Sequence, residues 1–243
     1  MDTSKLKDFI YSEFDKNAIP HIEDYIRIPN LSRSYDPEWA TNGLLEKAAH
    51  FLETWVKAQN LNNLEINYVQ EKGRTPCLYI EIQATQKNEK KEKNILMYGH
   101  FDKQPHMTGW NEGLHPTKPV IKDGKLYGRG GADDGYAIFT AILSIKALQV
   151  QNLPHPRIQI LIEGDEESGS QDLPYYLEQL KEKIGNPDLI ICLDSGAMDY
   201  DRLWITCSLR GVLSGTLTVK VLTEGVHSGD ASGVVPSSFR LIR

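Results

Sequence analysis

Two neighbouring glutamates, Glu166 and Glu167, follow shortly after the apolar run at 158–163 (IQILIE). Ionised carboxylates placed side by side repel each other, and partial burial increases that cost. A divalent cation supplies the missing opposite charge. One glutamate would then bind the cation while the other faces a water molecule, and a carboxylate so placed is a general base for hydrolysis. The alternative is a pair of solvated glutamates in a loop.

Three further residues repeat this pattern, because His100, Asp133 and Asp194 each lie beside the end of a predicted strand or loop. Oxygen and imidazole ligands without thiolate suit Zn²⁺, Mn²⁺ or Co²⁺ in an open, catalytic type of site. Asp102 stands two residues beyond His100, where its carboxylate can accept the second ring N–H and fix the tautomer. Taken singly, His100 could be a structural histidine and Asp133 a helix cap.

The segment at 128–135 (GRGGADDG) has the glycine-rich composition of a phosphate-binding loop. It lacks the Lys-Ser/Thr pair of such loops, and its two aspartates would repel a phosphate. The segment is consistent with a metal-binding loop, because its glycines let the backbone approach an ion closely and Asp133 lies at the predicted start of a helix.

The elements that must position these residues alternate between strands and helices. Apolar strands are predicted at 64–69, 77–83, 95–99, 157–163 and 189–193, and amphipathic helices at 44–58, 133–150 and 171–183. Near-continuous apolar strands separated by helices indicate an α/β fold with a mostly parallel sheet sandwiched by helices. In such sheets ligands gather beyond the carboxyl ends of the strands. His100, Glu166, Glu167 and Asp194 should therefore meet in one crevice.

Composition excludes several classes of protein. Hydrophobic content of 40% and charged content of 25% are typical of a soluble globular chain, and a net charge of −6 argues against binding to nucleic acid. No segment resembles a signal peptide or a membrane span. Cys77 and Cys192 lie in apolar runs, which predicts buried, inert thiols and no disulfide framework. These features predict a cytoplasmic protein. The polar run at 86–93 (QKNEKKEK) is predicted to be a solvated loop.

The pattern of apolar and polar residues changes from Ser208 onward. Residues 212–221 (VLSGTLTVKV) alternate as a strand does, and a helix start is predicted at Pro236–Ser238. We expect two domains, a catalytic domain at 1–207 and the beginning of a second domain at 208–243, with the chain ending inside the second.

Several motifs resemble one family in its own order along the chain. They are HFD at 100–102, YGRGGADDG at 127–135, EGDEESGS at 163–170, LD at 193–194 and GVHSGDASG at 225–233. Together they look like the dinuclear-zinc metallopeptidases, the family of carnosinase, cytosolic nonspecific dipeptidase, aminoacylase, acetylornithine deacetylase, succinyl-diaminopimelate desuccinylase and glutamate carboxypeptidase. This resemblance implies a catalytic α/β domain with an inserted α+β lid that also dimerises.

The resemblance implies a role for each metal-site residue. His100 and Asp194 would hold one metal ion, Glu167 would hold the other, and Asp133 would bridge them through a cis peptide bond to Asp134. Two divalent ions are implied, Zn²⁺ first, with Mn²⁺ or Co²⁺ as alternatives.

The resemblance also implies the catalytic groups. Asp102 would orient His100, and Glu166 would be the general base. His227 would lie in the lid, reach the partner subunit's site in a homodimer and stabilise the oxyanion. Gly135 replaces the family's usual lysine. The family's second metal-binding histidine comes from a later return of the chain to the catalytic domain, so the ligand set of the Glu167 metal is incomplete here.

The implied reaction is hydrolysis of an amide bond in a dipeptide or small peptide, with an N-acyl amino acid deacylase as the alternative. A different class is an inactive metal-binding fragment, and we hypothesise that the 243-residue polypeptide alone holds at most one metal ion tightly and hydrolyses slowly. A nucleotide-binding module is a third class, which predicts stabilisation by ATP. No nucleic-acid or membrane partner is expected.

Overall fold

The computed structural model describes residues 2–85 and 93–243. The solvated loop predicted at 86–93 therefore lies, except for Lys93, outside the described residues. The chain forms two compact units, Met1–Gly196 and Ala197–Arg243. The division falls N-terminal to the domain boundary predicted after residue 207.

The first unit alternates helices and strands along the chain. The strands are β1 (Leu64–Val69), β2 (Cys77–Ile82), β3 (Asn94–His100), β4 (Val120–Lys122), β5 (Lys125–Tyr127), β6 (Arg157–Glu163) and β7 (Leu189–Cys192). The helices of the whole chain are α1 (Thr3–Glu13), α2 (Ile19–Ile26), α3 (Trp39–Asn42), α4 (Leu44–Ala58), α5 (Tyr136–Val150), α6 (Leu173–Ile184), α7 (Ser228–Ala231) and α8 (Ser238–Ile242). These bounds agree with the predicted strands and with helix 44–58 to within about two residues.

The main sheet has the strand order β1-β2-β6-β3-β7. Strand β3 pairs in parallel with β6 and β7, while β2 pairs antiparallel with β1 and β6. Four of the five strands therefore run in one direction, and the prediction of a mostly parallel α/β sheet is confirmed. The register pairs His100 with Glu163, so the carboxyl ends of β3 and β6 lie side by side.

Both faces of this sheet are covered. Alternate residues of β2 point to opposite faces, since Leu78 and Ile80 belong to the core beneath α4 and α5, whereas Cys77 and Tyr79 belong to a second core beneath α6. Each of these side chains is fully buried. The sheet is therefore rigidly held between helices, and its strand ends make a fixed platform.

The outer edge of the sheet does not match the prediction that Cys77 and Cys192 are both buried. Strand β7 is the last strand, and Ile190 is 63% exposed. Cys77 is buried and its pKa is raised by desolvation, so the prediction is confirmed there. It is wrong for Cys192, which is exposed because β7, among the described residues, pairs with β3 alone.

The second unit also corrects the sequence analysis. The strand predicted at 212–221 is absent, because a strand needs a neighbour for its backbone N–H and C=O groups, and the described residues form no ladder with this segment. Helix α8 begins at Ser238, where a helix start was predicted. Within the described ranges, no helix is long and apolar enough to cross a membrane.

Candidate metal centre

His100 is the last residue of β3, and its imidazole is fully buried. The preceding residue, Gly99, packs closely against its neighbours. A Cβ atom at this position would lie 2.6 Å from Asp134 Oδ2 and 2.8 Å from Ala137 Cβ, which is too close for any side chain. Backbone N–H of Phe101 then donates to the carbonyl of Glu163 at 2.8 Å, which continues the pairing with β6 beyond the strand end. The position of the imidazole is thus set by backbone hydrogen bonds and close packing.

Carboxylates surround the outer nitrogen of this imidazole. His100 Nε2 lies 3.2 Å from Asp133 Oδ1, 3.8 Å from Glu166 Oε2 and 3.9 Å from Asp194 Oδ2. His100, Asp133 and Asp194 form one group whose candidate ligand atoms all lie within 4.8 Å of one another. The loop and strand ends that carry these residues are far apart in sequence, and the sheet topology brings them together.

A second group of the same kind consists of His100, Glu166 and Glu167. Asp133 also lies close enough to Glu167 for the two carboxyl groups to affect each other's pKa, so it lies beside members of both groups. The structure therefore brings together His100, Asp133, Glu166, Glu167 and Asp194. His227 lies in the second unit, where its Nδ1 accepts the N–H of Gly229 at 3.1 Å before α7.

Asp102 is fully buried beneath this group, and its carboxylate makes three contacts. Its Oδ1 lies 3.3 Å from His100 Nδ1. Its two oxygens accept the backbone N–H groups of Glu166 and Glu167 at 3.1 and 3.0 Å. One carboxylate therefore fixes the ring of the histidine and the turn that carries both glutamates.

The backbone that carries Glu166 and Glu167 is curled and not extended. Glu166–Ser168 is a turn of 3₁₀-helix. The two consecutive N–H groups can both reach Asp102 only when the backbone curls in this way. The carboxylates consequently lie on the same side of the strand ends as His100, within the second group of candidate ligands.

The peptide bond between Asp133 and Asp134 is cis, as the family resemblance implies. Sequence reasoning gave Asp134 no function of its own. Its side chain is buried, and Oδ2 accepts the backbone N–H of His100 at 3.1 Å. Burial raises the pKa of Asp134 to about 7. The aspartate pair could have been noticed in the sequence, but its contact with the end of β3 depends on the fold.

The electrostatics of the centre show an excess of acidic groups. Burial alone would lower the pKa of His100, but its hydrogen bonds with Asp102 and Asp133 outweigh burial and raise it to about 11. The hydrogen bond with His100 lowers the pKa of Asp133. Burial raises the pKa of Glu167 to about 7, against the effect of a hydrogen bond from Gln104. Positive charge placed among these carboxylates would be strongly stabilised.

A buried ionic network supports the glutamate turn from behind, and sequence reasoning missed it. Arg33 contacts Asp165 (Nε to Oδ1, 3.0 Å) and Asp172 (Nη1 to Oδ2, 3.0 Å), while Arg74 binds the other oxygen of Asp172 at 2.5 Å. Isolated arginines in polar segments carry no sequence signal for such a network. It anchors both ends of the loop that bears Glu166 and Glu167.

Ser168 ties the same turn to the N-terminal segment. Its Oγ lies 2.5 Å from Ser32 Oγ and accepts the N–H of Ser34 at 2.9 Å. We expect Ser168→Ala to lower the free energy of unfolding by about 1 kcal/mol, because two neutral hydrogen bonds are lost. Urea unfolding followed by circular dichroism measures this change.

The matched control for that variant is Ser144→Ala on α5, where the hydroxyl bonds, within the described part of the chain, to the carbonyl of Thr140 in its own helix. The control should change stability by less than about 0.5 kcal/mol. Equal urea midpoints for the two variants would show that the Ser168 bridge contributes nothing.

The chain is similar in sequence to known metal-dependent hydrolases. The model of peptidase family M20/M25/M40 matches residues 96–221. An uncharacterised metallohydrolase of Methanocaldococcus jannaschii is 30% identical over 216 residues, which is 81% of this chain and 50% of that protein. A Beta-Ala-His dipeptidase of Rattus norvegicus is 32% identical over 154 residues, 61% of this chain and 30% of that protein.

The fold has a counterpart among solved structures. The structure of human carnosine dipeptidase 1 superposes with a TM-score of 0.64 and 22% identity, covering 79% of this chain and 41% of that one. The chain spans about half the length, or less, of the relatives it matches.

Proposed function

The chain belongs to peptidase family M20/M25/M40, and we propose that it is a metal-dependent hydrolase that cleaves the amide bond of dipeptides or other small peptides. The observation that supports this best is the convergence of His100 with four carboxylates, three of them beyond the ends of β6 and β7 and one in the segment before α5. The printed names of relatives support a peptide substrate, since one of them is a Beta-Ala-His dipeptidase.

The residues present fit a divalent cation. Imidazole and carboxylate donors without thiolate are the ligands that Zn²⁺ takes in catalytic sites. Glu167 Oε1 is buried and has no hydrogen-bond partner among the described residues, as expected for an oxygen that binds a metal ion. We propose two ions, with Zn²⁺ first and Mn²⁺ or Co²⁺ as alternatives. His100 and Asp194 would hold one, Glu167 the other, and Asp133 both.

Each side chain then has a defined part in the reaction. Metal ions held there would supply a Lewis acid for the substrate carbonyl and would lower the pKa of bound water. Glu166 Oε2 would take the proton of the attacking water and pass it to the leaving amine. This glutamate is suited to the task, because burial raises its pKa while its side chain stays 34% exposed. Asp102 would keep the imidazole of His100 oriented.

Three further properties stay predictions. Homodimerisation through the second unit and a contribution of His227 to a partner's site come from the family resemblance. A cytoplasmic location comes from the cysteine pattern of the sequence.

The proposal is tested by loading the purified chain with Zn²⁺ after removal of metal with a chelator. We expect zinc to be retained, and we expect a chelator, but not ATP, to change the thermal unfolding temperature. Release of free amino acids from a dipeptide series measures the activity. Turnover of N-acyl amino acids without turnover of dipeptides would move the assignment to the deacylases. Failure to retain Zn²⁺, or stabilisation by ATP instead, would refute the proposal.

A further inference from the structure

Two tyrosine hydroxyl groups donate to backbone carbonyls beside the candidate metal centre. Tyr25 Oη donates to the carbonyl of Phe101, and Tyr136 Oη donates to the carbonyl of Leu193. Each acceptor is the first residue beyond a strand, β3 for Phe101 and β7 for Leu193, and each is next in sequence to a candidate metal ligand. Neither hydroxyl takes part in the proposed reaction.

The first of these acceptors is fixed at both of its backbone groups. The N–H of Phe101 donates to the carbonyl of Glu163 at 2.8 Å, and its own carbonyl accepts from Tyr25 and also from Asn30 Nδ2, the latter at 2.6 Å. Both donor residues are fully buried, which strengthens their hydrogen bonds because water is excluded. Since a peptide unit is planar, a carbonyl held in this way fixes the peptide plane that leads into Asp102.

The second acceptor is held in the same manner. The N–H of Leu193 donates to the carbonyl of Tyr98 in β3 at 2.9 Å, and its own carbonyl accepts the hydroxyl of Tyr136. This carbonyl fixes the peptide plane that leads directly into Asp194. Strand β7 pairs with β3 alone in the described part of the chain, so the sheet supports the backbone beside Asp194 from one side. The hydroxyl of Tyr136 adds a contact that the sheet does not give.

Both tyrosines are also joined to the loop that carries Asp133. Tyr136 follows this loop directly, as the first residue of α5. The ring of Tyr25 packs against Gly135, where a Cβ atom would lie 2.7 Å from Tyr25 Cδ1, well inside the normal distance between non-bonded carbons. Tyr25 and Tyr136, called here the tyrosine pair, therefore connect the Asp133 loop to the ends of β3 and β7.

The two hydroxyl groups differ in the ligands that they support. Tyr25 acts on Asp102, which lies beside the His100 ring and accepts the N–H groups of the glutamate turn, so it supports both groups of candidate ligands. Asp194 belongs, among the described residues, to the group of His100 and Asp133 alone. Tyr136 should therefore support that group and not the other.

We propose that Tyr25 and Tyr136 are positioning residues of the metal centre, which hold the peptide planes leading into Asp102 and Asp194 and so set the ligand geometry before an ion binds. The inference rests on the proposed function, because it concerns the ions of that same site. Ligands must be held to within about 0.5 Å for tight and selective binding. Two groups that touch neither ion nor substrate thus control the affinity for metal.

The test uses Tyr25→Phe and Tyr136→Phe, each of which removes one hydroxyl and keeps the ring. The dissociation constant for Zn²⁺ is measured on the intact, chelator-treated chain by competition with a chromophoric chelator. We expect each variant to bind Zn²⁺ about tenfold more weakly, which is the lower end of the effect of losing a group that orients a metal ligand. The control Tyr68→Phe should keep the wild-type constant, because that hydroxyl bonds to Gln70 at the surface.

Double variants separate positioning from a merely structural contribution. In an Asp194→Asn background, Tyr136→Phe should cost no further affinity, whereas Tyr25→Phe should still cost several-fold, since interacting residues are not additive. In a Glu167→Gln background, Tyr136→Phe should keep its full effect. The visible absorption of the Co²⁺-loaded Tyr136→Phe protein should also differ from that of the wild type, because it depends on coordination geometry.

A wild-type Zn²⁺ constant in a folded variant refutes the assignment for that tyrosine, and wild-type constants in both overturn the proposal. An equal loss of affinity in Tyr68→Phe would also overturn it. If circular dichroism shows that Tyr25→Phe does not fold, the half-buried Tyr136 decides the outcome alone. A Tyr136→Phe loss that is undiminished in the Asp194→Asn background would show a general effect on stability and refute positioning.

The wild-type chain separates this inference from the proposed function. Zn²⁺ binding without peptide cleavage would refute the hydrolase, yet the ratio of variant to wild-type constants would still test the tyrosine pair. Conversely, a wild-type chain that binds Zn²⁺ and cleaves peptides, with unchanged constants in both tyrosine variants, would keep its proposed function and lose the positioning residues. A wild-type chain that binds no metal ion refutes both.

Discussion

Replacing Glu166 with glutamine should lower kcat for dipeptide hydrolysis by about 10²–10⁴-fold, the effect of losing a general acid–base group. Glutamine has nearly the same shape as glutamate but cannot take a proton from water at neutral pH. The backbone N–H of residue 166 would still donate to Asp102, so the turn should keep its conformation. Metal content should therefore remain that of the wild type. Steady-state kinetics together with elemental analysis of the purified variant measure both quantities.

Glu167→Gln is the matched control for this variant. It removes the same charge from the same turn, but from the glutamate whose Oε1 is buried and unpaired. We expect it to weaken metal binding first and to reduce turnover only as a consequence, so that added Zn²⁺ restores part of the rate. An unchanged rate in Glu166→Gln would exclude the proposed base. Undiminished metal content in Glu167→Gln would mean that the two glutamates have exchanged functions.

Replacing Asp102 with asparagine should lower metal affinity or turnover by about 10–100-fold, the usual cost of losing a group that orients a metal-binding histidine. The carboxylate of Asp102 accepts two backbone N–H groups and lies 3.3 Å from His100 Nδ1, which is also hydrogen-bonded to the backbone carbonyl of Asp102. An asparagine offers one oxygen and one NH₂ group, so it must point a donor at another donor. The imidazole and the glutamate turn should therefore both lose their fixed positions.

Competition with a chromophoric zinc chelator measures the affinity of the Asp102→Asn protein. Asp24→Asn removes one negative charge from a surface ion pair and serves as the control for net charge. Equal zinc affinity and equal kcat in the wild type and the Asp102→Asn variant would show that Asp102 has no orienting function. Loss of affinity in the control as well would indicate a general electrostatic effect.

The secondary structure that positions the site can be predicted from residue patterns alone. Hydrophobic periodicity predicted β3, β6 and β7, because each is a short apolar run bounded by polar or glycine-rich segments. The rule that ligands gather beyond the carboxyl ends of parallel strands then predicted that His100, Glu166 and Asp194 would meet, and these side chains lie together in the structure. Whether they perform the proposed chemistry stays a prediction.

The contacts that hold these residues in place follow from the three-dimensional fold and could not be predicted. The binding of two backbone N–H groups by Asp102, the contact of Asp134 with the end of β3 and the ion pairs of Arg33 all join segments distant in sequence. No local pattern records such contacts, because each depends on the order of strands in the sheet and on the curl of one turn. The exposure of Cys192 follows from the same cause. An apolar run predicts a strand, but its place at the edge or the centre is set by which neighbours pair with it.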